Sequence, residues 1–267
     1  MMLGVHVWLT AAQASTTAHL KHHAIFLQNS LIRLINVPAQ VAALYFLWLT
    51  LGTNTLGGFS PQALLIYNLL TFLVRWLFNF RQVAEDTERA IHEGLLVNNL
   101  VRPLPFSAFQ FGKVLSKLAV NILALLLVLI PTLIVIGQVP SASSLSGFVA
   151  LLLIGAVVQY QLYAIIGLLS FWMGRIFGVV YAFDLTLLLS AGTLLPLTVF
   201  PSQVASVLLA LPFRFFAYSP VQALIGNNSG LWLARELLGA AGWALALAAL
   251  HALLWQRGVK QYAGAGV

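Results

Sequence analysis

Cysteine is absent from all 267 residues, so neither a disulfide nor a thiolate metal site can be built from this chain. Acidic residues are nearly as scarce, six against thirteen Lys and Arg. Charged side chains make up 7% of the chain, where an ordinary soluble domain has about 25%. That shortage excludes a soluble fold of this length, because too little polar surface exists to meet water. Hydrophobic residues, at 61%, fill the place of the missing charge. The chain is expected to be an all-α polytopic membrane protein. A net charge of +7 in a soluble protein would point to nucleic acid or anionic lipid; in a membrane chain it points to a topology bias, and no nucleic-acid partner is expected.

Hydropathy picks out six runs able to cross a bilayer, which needs about 20 apolar residues per helix. They lie near 34–52, 62–80, 114–137, 147–173, 178–200 and 231–255, the fourth and fifth separated only by "GRIFG". No basic n-region precedes an apolar core at the start, so a cleaved signal peptide is not expected. With the N-terminus inside, Lys21, Arg33, Arg81, Arg89, Arg102, Lys113, Lys117, Arg175, Arg257 and Lys260 fall on the cytosolic side. Only Arg214 and Arg235 fall outside, and Arg75 lies within a span. A bias of that size places both termini in the cytosol. The expected organisation is an N-terminal amphipathic segment over 1–33 and a six-span domain over 34–267. The latter includes a cytosolic segment at 81–113 and an outer segment at 201–230.

Four of the six acids, Glu85, Asp86, Glu88 and Glu93, fall inside the stretch "EDTERAIHEGLLVNNLVRPLP" between the second and third spans. It reads as a helix. Glu85 and Arg89 stand at i,i+4, Arg89 can reach Glu93, and Ile91 shares a face with Leu95. Pro103 and Pro105 stop it. A plain solvated loop is one reading; its length and mixed charge favour docking of a soluble partner. Before the first span, Leu20, Ala24, Leu27, Leu31 and Leu34 recur at helical spacing, which predicts an interfacial helix lying on membrane lipid. His19 and His23 share a face there, but no carboxylate stands near, and no metal site is expected. The outer segment 201–230 is too apolar for a free loop, yet Pro201, Pro212 and Pro220 break it, so a re-entrant hairpin is expected.

Arg75 and Asp184 are the intramembrane charges, each costing roughly 2.5–3.5 kcal/mol at a span centre. Counted from the span ends, both sit about 7–9 Å below the cytosolic boundary. Equal depth, opposite sign and the lack of another acid placed in the bilayer make them expected partners, with Arg175 as competitor. The pair would serve as a structural tie or as part of a translocation path. Tyr67, Phe72, Trp76 and Tyr181 lie on the same two spans and could line such a path or pack against neighbouring helices.

In its order of elements the chain resembles the membrane subunit of a type-2 ATP-binding-cassette exporter. Local patterns resemble the viologen-exporter-like permease branch. They are Ile91, Gly94 and Leu95 leading to "LVRPLP", Phe200-Pro201, "LPFRFFAYSPVQALIG", and the tail "LWQRGVKQYAGAG". Ser219 departs from the pattern, standing where that branch is expected to carry an aromatic. The resemblance covers roughly residues 16–266. It implies that the 81–113 helix is a coupling helix seated on an ATPase subunit, with Glu85, Asp86, Glu88, Arg89, Glu93, Gly94, Arg102 and Pro103 at the docking surface. It further implies a multi-pass protein of the inner membrane, a second permease copy or paralogue, and a small amphiphilic, drug-like or lipid substrate.

No G-x-x-x-x-G-K-[ST] motif occurs, since "GKVLSK" lacks the upstream glycine and the hydroxyl after the lysine. ATP and Mg would then be used by the partner ATPase, with no cofactor bound by this chain and no catalysis of its own. Two alternatives stand beside this reading. An ion-coupled secondary transporter would use Asp184, but inverted repeats are not apparent and ionisable residues are few. A membrane-embedded enzyme would need a nucleophile, a base and oxyanion donors, which no stretch gathers.

Overall fold

The computed structural model describes residues 46, 59–77, 80–96, 106–135, 137, 140–226 and 229–264. The chain divides into two compact units, Met1–Asn54 and Thr55–Val267. Of the first, the described part is Phe46, a helical residue with an exposed side chain. The expected interfacial helix and first span therefore lie outside the described residues.

The second unit is helical, with no strand among the described residues. Its elements are α1 (Pro61–Leu77), α2 (Arg81–His92), α3 (Phe106–Val135), α4 (Ala142–Leu168), α5 (Ser170–Met173) and α6 (Phe177–Ser190). A 3-10 turn (Leu197–Val199), α7 (Ser202–Ala210), a second 3-10 turn (Pro212–Phe216), α8 (Tyr218–Ile225) and α9 (Gly230–Gly264) complete it. Among the described residues, two stretches are long and apolar enough to cross a membrane, Ala142–Met173 and Gly230–Tyr262. Shorter apolar helices occupy Gln62–Arg75, Asn121–Pro131 and Phe177–Ser190.

Helix α4 is the hub. Its sequence is apolar on every side, so it must be surrounded rather than half-covered. Fourteen of its residues, from Gly147 to Leu168, are buried. Its start is capped by Ser141, whose Oγ accepts the Ser144 N–H at 3.1 Å. Helix α9 lies along it in the same direction. A Cβ on Gly147 would stand 2.9 Å from Leu233, and one on Gly258 would stand 2.2 Å from the Phe171 ring. Two contacts at nearly constant sequence offset define parallel neighbours, so the chain between them must travel back to the starting level of α4.

That return path begins within the expected fifth span at 178–200, where the helix is shorter than the run of apolar residues. Helix α6 has 14 residues, about 21 Å of rise, short of the roughly 30 Å hydrocarbon core. Gly192 ends it in the left-handed region at φ 73°. The freed backbone groups find protein partners: Tyr67 donates its hydroxyl to Gly192 O, and the Tyr218 N–H reaches Ala191 O at 3.1 Å. Irregular backbone in an apolar chain persists where such partners exist.

The three prolines of 201–230 also act differently from expectation. They begin elements instead of breaking one. Pro201 precedes α7, Pro212 opens the second 3-10 turn, and Pro220 sits in the first turn of α8. Those positions suit a residue with fixed φ and no N–H to donate. The result is two short helices joined by a corner. Helix α8 is buried from Tyr218 to Val221, whereas α7 buries no residue.

Candidate functional site

Helix α2 is polar and strongly two-sided. Val83, Ala84, Thr87, Ala90 and Ile91 form its buried face. Thr87 gives its proton to Val83 O at 2.7 Å and accepts one from Gln110 Nε2 at 3.1 Å, so the polar group inside that face is satisfied. Gly167 of α4 makes the approach possible: a Cβ there would stand 2.7 Å from Thr87. The opposite stripe carries Gln82, Asp86, Arg89 and Glu93, which recur at helical spacing. Gln82, Arg89 and Glu93 are exposed and Asp86 is half-exposed.

Between stripe and buried face runs a third side, composed of Arg81, Glu85, Glu88 and His92. This flank is tied to the segment joining α5 to α6. Arg81 Nη1 lies 3.0 Å from Asp184 Oδ2, and its Nε lies 2.7 Å from Glu85 Oε1. Glu88 Oε1 accepts the Ile176 N–H at 3.4 Å, and His92 Nε2 stands 3.0 Å from Gly174 O. The Arg81 guanidinium also sits 5.5 Å from the centre of the Phe177 ring. Its pKa is raised above the ordinary value, first by the hydrogen bond to Glu85, so the charge of this node persists at any physiological pH.

Asp184 therefore has a partner that depth reasoning did not weigh. Arg81 takes one carboxylate oxygen and the Tyr163 hydroxyl donates to the other. Counting from span ends placed Arg81 in a cytosolic loop and Arg75 at matched depth. A guanidinium on a long stem reaches inward from the helix start, and rise per residue does not capture that reach. Arg75 and Arg175 are both exposed.

The ion pairs within α2 also differ from expectation. Glu85 pairs with Arg81, and Arg89 lies 3.7 Å from Asp86 at i,i+3 rather than pairing with Glu85 or Glu93. The helix stops well before Pro103. Its cap at Glu93 bonds back to Arg89 O, and Gly94 turns left-handed at φ 72°. The turn shifts the register, so Leu96 is buried while Leu95 is exposed beside buried Ile91. Leu96 joins Ala90, Ile91 and Phe106 in a small second cluster, flanked by Phe171, Trp255 and Tyr262. Arg102 and Pro103 lie outside the described residues.

Of the four candidate path aromatics, Tyr67 is fully buried and its hydroxyl is committed to the α6 break. Phe72 is half-buried and Tyr181 is exposed. The side chain of Trp76 lies outside what is described.

A second polar centre was not anticipated. Glu236, counted within the sixth span and not weighed as an intramembrane acid, is buried. Arg214 Nη1 stands 3.3 Å from its Oε1, and Ser219, itself fully buried, donates to its Oε2 at 2.7 Å. The Arg214 guanidinium also lies 4.7 Å from the Phe215 ring centre. Ser219 is the position that departs from the resembled pattern. A phenylalanine there would have no donor for this hydrogen bond. The available signal was Glu236 itself, one of only two acids outside the 85–93 cluster.

These features belong to a helical membrane protein with a polar, amphipathic helix seated under its hub. No curated protein and no solved structure matches the chain. The family model described as ABC-2 family transporter protein matches residues 36–266, nearly the whole chain and all the elements described above. The chain accordingly belongs to the ABC-2 family of transporter proteins, whose members are membrane permeases that work with an ABC ATPase.

Proposed function

We propose that the chain is the permease subunit of an exporter, six-spanning with both termini cytosolic, two copies or paralogues pairing with two ATPase subunits. Helix α2 is the coupling helix of this reading. The observation that carries it is the division of α2 into three sides: one buried on α4, one tied to α6, and one carrying Gln82, Asp86, Arg89 and Glu93 outward. In a chain with only six acids, the gathering of four of them at 85–93 sets this helix apart. The pair α7–α8, with its corner, is the outer re-entrant element. The cargo class is a small amphiphile, drug-like compound or lipid, in keeping with the viologen-exporter-like resemblance. The secondary-transporter alternative loses its main support, because Asp184 is held by Arg81 and Tyr163.

Purified alone, the chain is expected to hydrolyse no ATP, and to form a hydrolysing complex when co-expressed with an ABC ATPase subunit. ATP turnover by the isolated chain would sink the reading. The stripe makes a narrower expectation. Asp86→Lys with Glu93→Lys should weaken ATPase binding in low salt by up to about thirtyfold, since exposed pairs contribute about 0–1 kcal/mol each. The loss should shrink in high salt. Glu85→Lys, next to Arg81, should instead lower thermal stability. Titration of the detergent-solubilised permease with ATPase subunit at two salt concentrations checks this, and unchanged binding by the double variant would remove the stripe from the interface.

A further inference from the structure

We propose that the Arg81–Asp184–Tyr163 cluster is a clamp that makes the start of α6 follow α2 as one rigid body. Asp184 is its positioning residue. The proposal rests on the reading of α2 as the coupling helix, and it adds what that helix moves.

The buried face of α2 already fixes it to α4 through Thr87 and the close approach at Gly167. The attachment of α6 to this pair is different in kind. Gly174, at φ 70° with nothing within 4 Å of a notional Cβ, is a left-handed turn between α5 and α6. Apolar packing covers one side of α6, where Ile176, Val180 and Leu187 are buried in the same core as Val83 and Ala84 of α2, whereas Phe177, Tyr181, Leu185 and Leu189 lie on an exposed face. Polar contacts add direction to that packing. Arg81 reaches Asp184 at 3.0 Å, Ile176 N–H reaches Glu88 at 3.4 Å, and His92 meets Gly174 O at 3.0 Å. From α4, Tyr163 donates to Asp184 and packs edge-on against Phe183 at 5.2 Å. Charge-assisted hydrogen bonds are directional, and the Arg81–Asp184 and Glu88–Ile176 contacts, with His92 beside them on the same flank, fix orientation as well as distance. A push on the exposed stripe of α2 is then delivered to α6 through these side chains as well as through the chain at Gly174. Asp184, with one partner on each oxygen, acts as a mechanical link between α2, α4 and α6.

The native absence of cysteine permits a direct test. Arg81→Cys with Asp184→Cys should fold, bind a cysteine-free ATPase subunit, and transport about tenfold less than the unaltered chain, reflecting the lost charge-assisted pair. Joining the two thiols with a short bis-methanethiosulfonate reagent should restore most of that transport, and reduction should remove it again. If joining them abolishes the residual transport, α2 and α6 must move apart during the cycle and the clamp is wrong. A second readout needs no ATPase. In the isolated chain, Asp184→Asn should raise amide hydrogen exchange about tenfold over both 81–92 and 174–184, since the two would open together. Tyr163→Phe, which removes one hydroxyl, should raise it in the same places by less. Exchange unchanged in Tyr163→Phe, together with exchange unchanged or a fold lost in Asp184→Asn, would overturn the proposal. Failure of the unaltered chain to bind any ATPase subunit would count against the coupling-helix reading alone, and the exchange result would still decide the clamp.

Discussion

Glu236→Gln and Arg214→Met are each expected to destabilise the protein by about 3–5 kcal/mol, the range for removing one partner of a buried ion pair. The Arg214 and Glu236 side chains are 19% and 9% exposed, so water replaces the missing partner poorly. In Glu236→Gln, the Ser219 hydroxyl keeps an acceptor but the Arg214 cation loses its counter-charge. In Arg214→Met the carboxylate keeps only Ser219. The double variant Arg214→Met with Glu236→Leu should recover most of the loss, because replacing a whole buried pair with apolar groups is often close to neutral. The chain has seven tryptophans, so thermal unfolding in detergent can be followed by intrinsic fluorescence. Additive losses in the double variant would show that the two residues do not act as a pair.

Gly155→Ala is the second large effect, and its mechanism is steric. A Cβ at Gly155 would stand 2.3 Å from the carbonyl oxygen of Phe215. That atom is backbone of the corner between α7 and α8, so no side-chain rotation can relieve the contact. The corner must lift from α4, at about 1–3 kcal/mol for overpacking, and roughly 2–4 °C of Tm per kcal/mol in a chain of this size. Helix propensity works the other way, since alanine is favoured over glycine by about 1 kcal/mol in a helix interior. Gly112→Ala isolates that term, because nothing lies within 4 Å of a Cβ there. The expected result is a higher Tm for Gly112→Ala and a lower one for Gly155→Ala. Equal behaviour would mean that the corner does not bear on α4 as tightly as the geometry requires.

Both predictions concern the element that joins α6 to α9, where sequence reading was least informative. That 201–230 is apolar, proline-broken and not a free loop was legible, since proline and hydropathy are local properties. That the prolines open helices was not, because a proline at a first turn and one that ends a helix look alike in sequence. The packing of the corner depends on Gly155, some 60 residues earlier. A glycine in an apolar helix carries no mark of what approaches it.

By itself, the sequence determined that this is a helical membrane protein, where its apolar runs lie, and that its acids gather on one amphipathic helix. Those follow from composition and period, which each segment carries alone. Tertiary structure decided the pairings. Asp184 meets Arg81 because α2 is seated on α4 with its flank against α6, and Glu236 meets Arg214 because the 3-10 corner folds back onto α9. In a chain so poor in charge, each charged group is drawn to an opposite one wherever packing brings it within reach. Depth along a span places a Cα, whereas the reach of a guanidinium and the crossing of helices decide which charges touch.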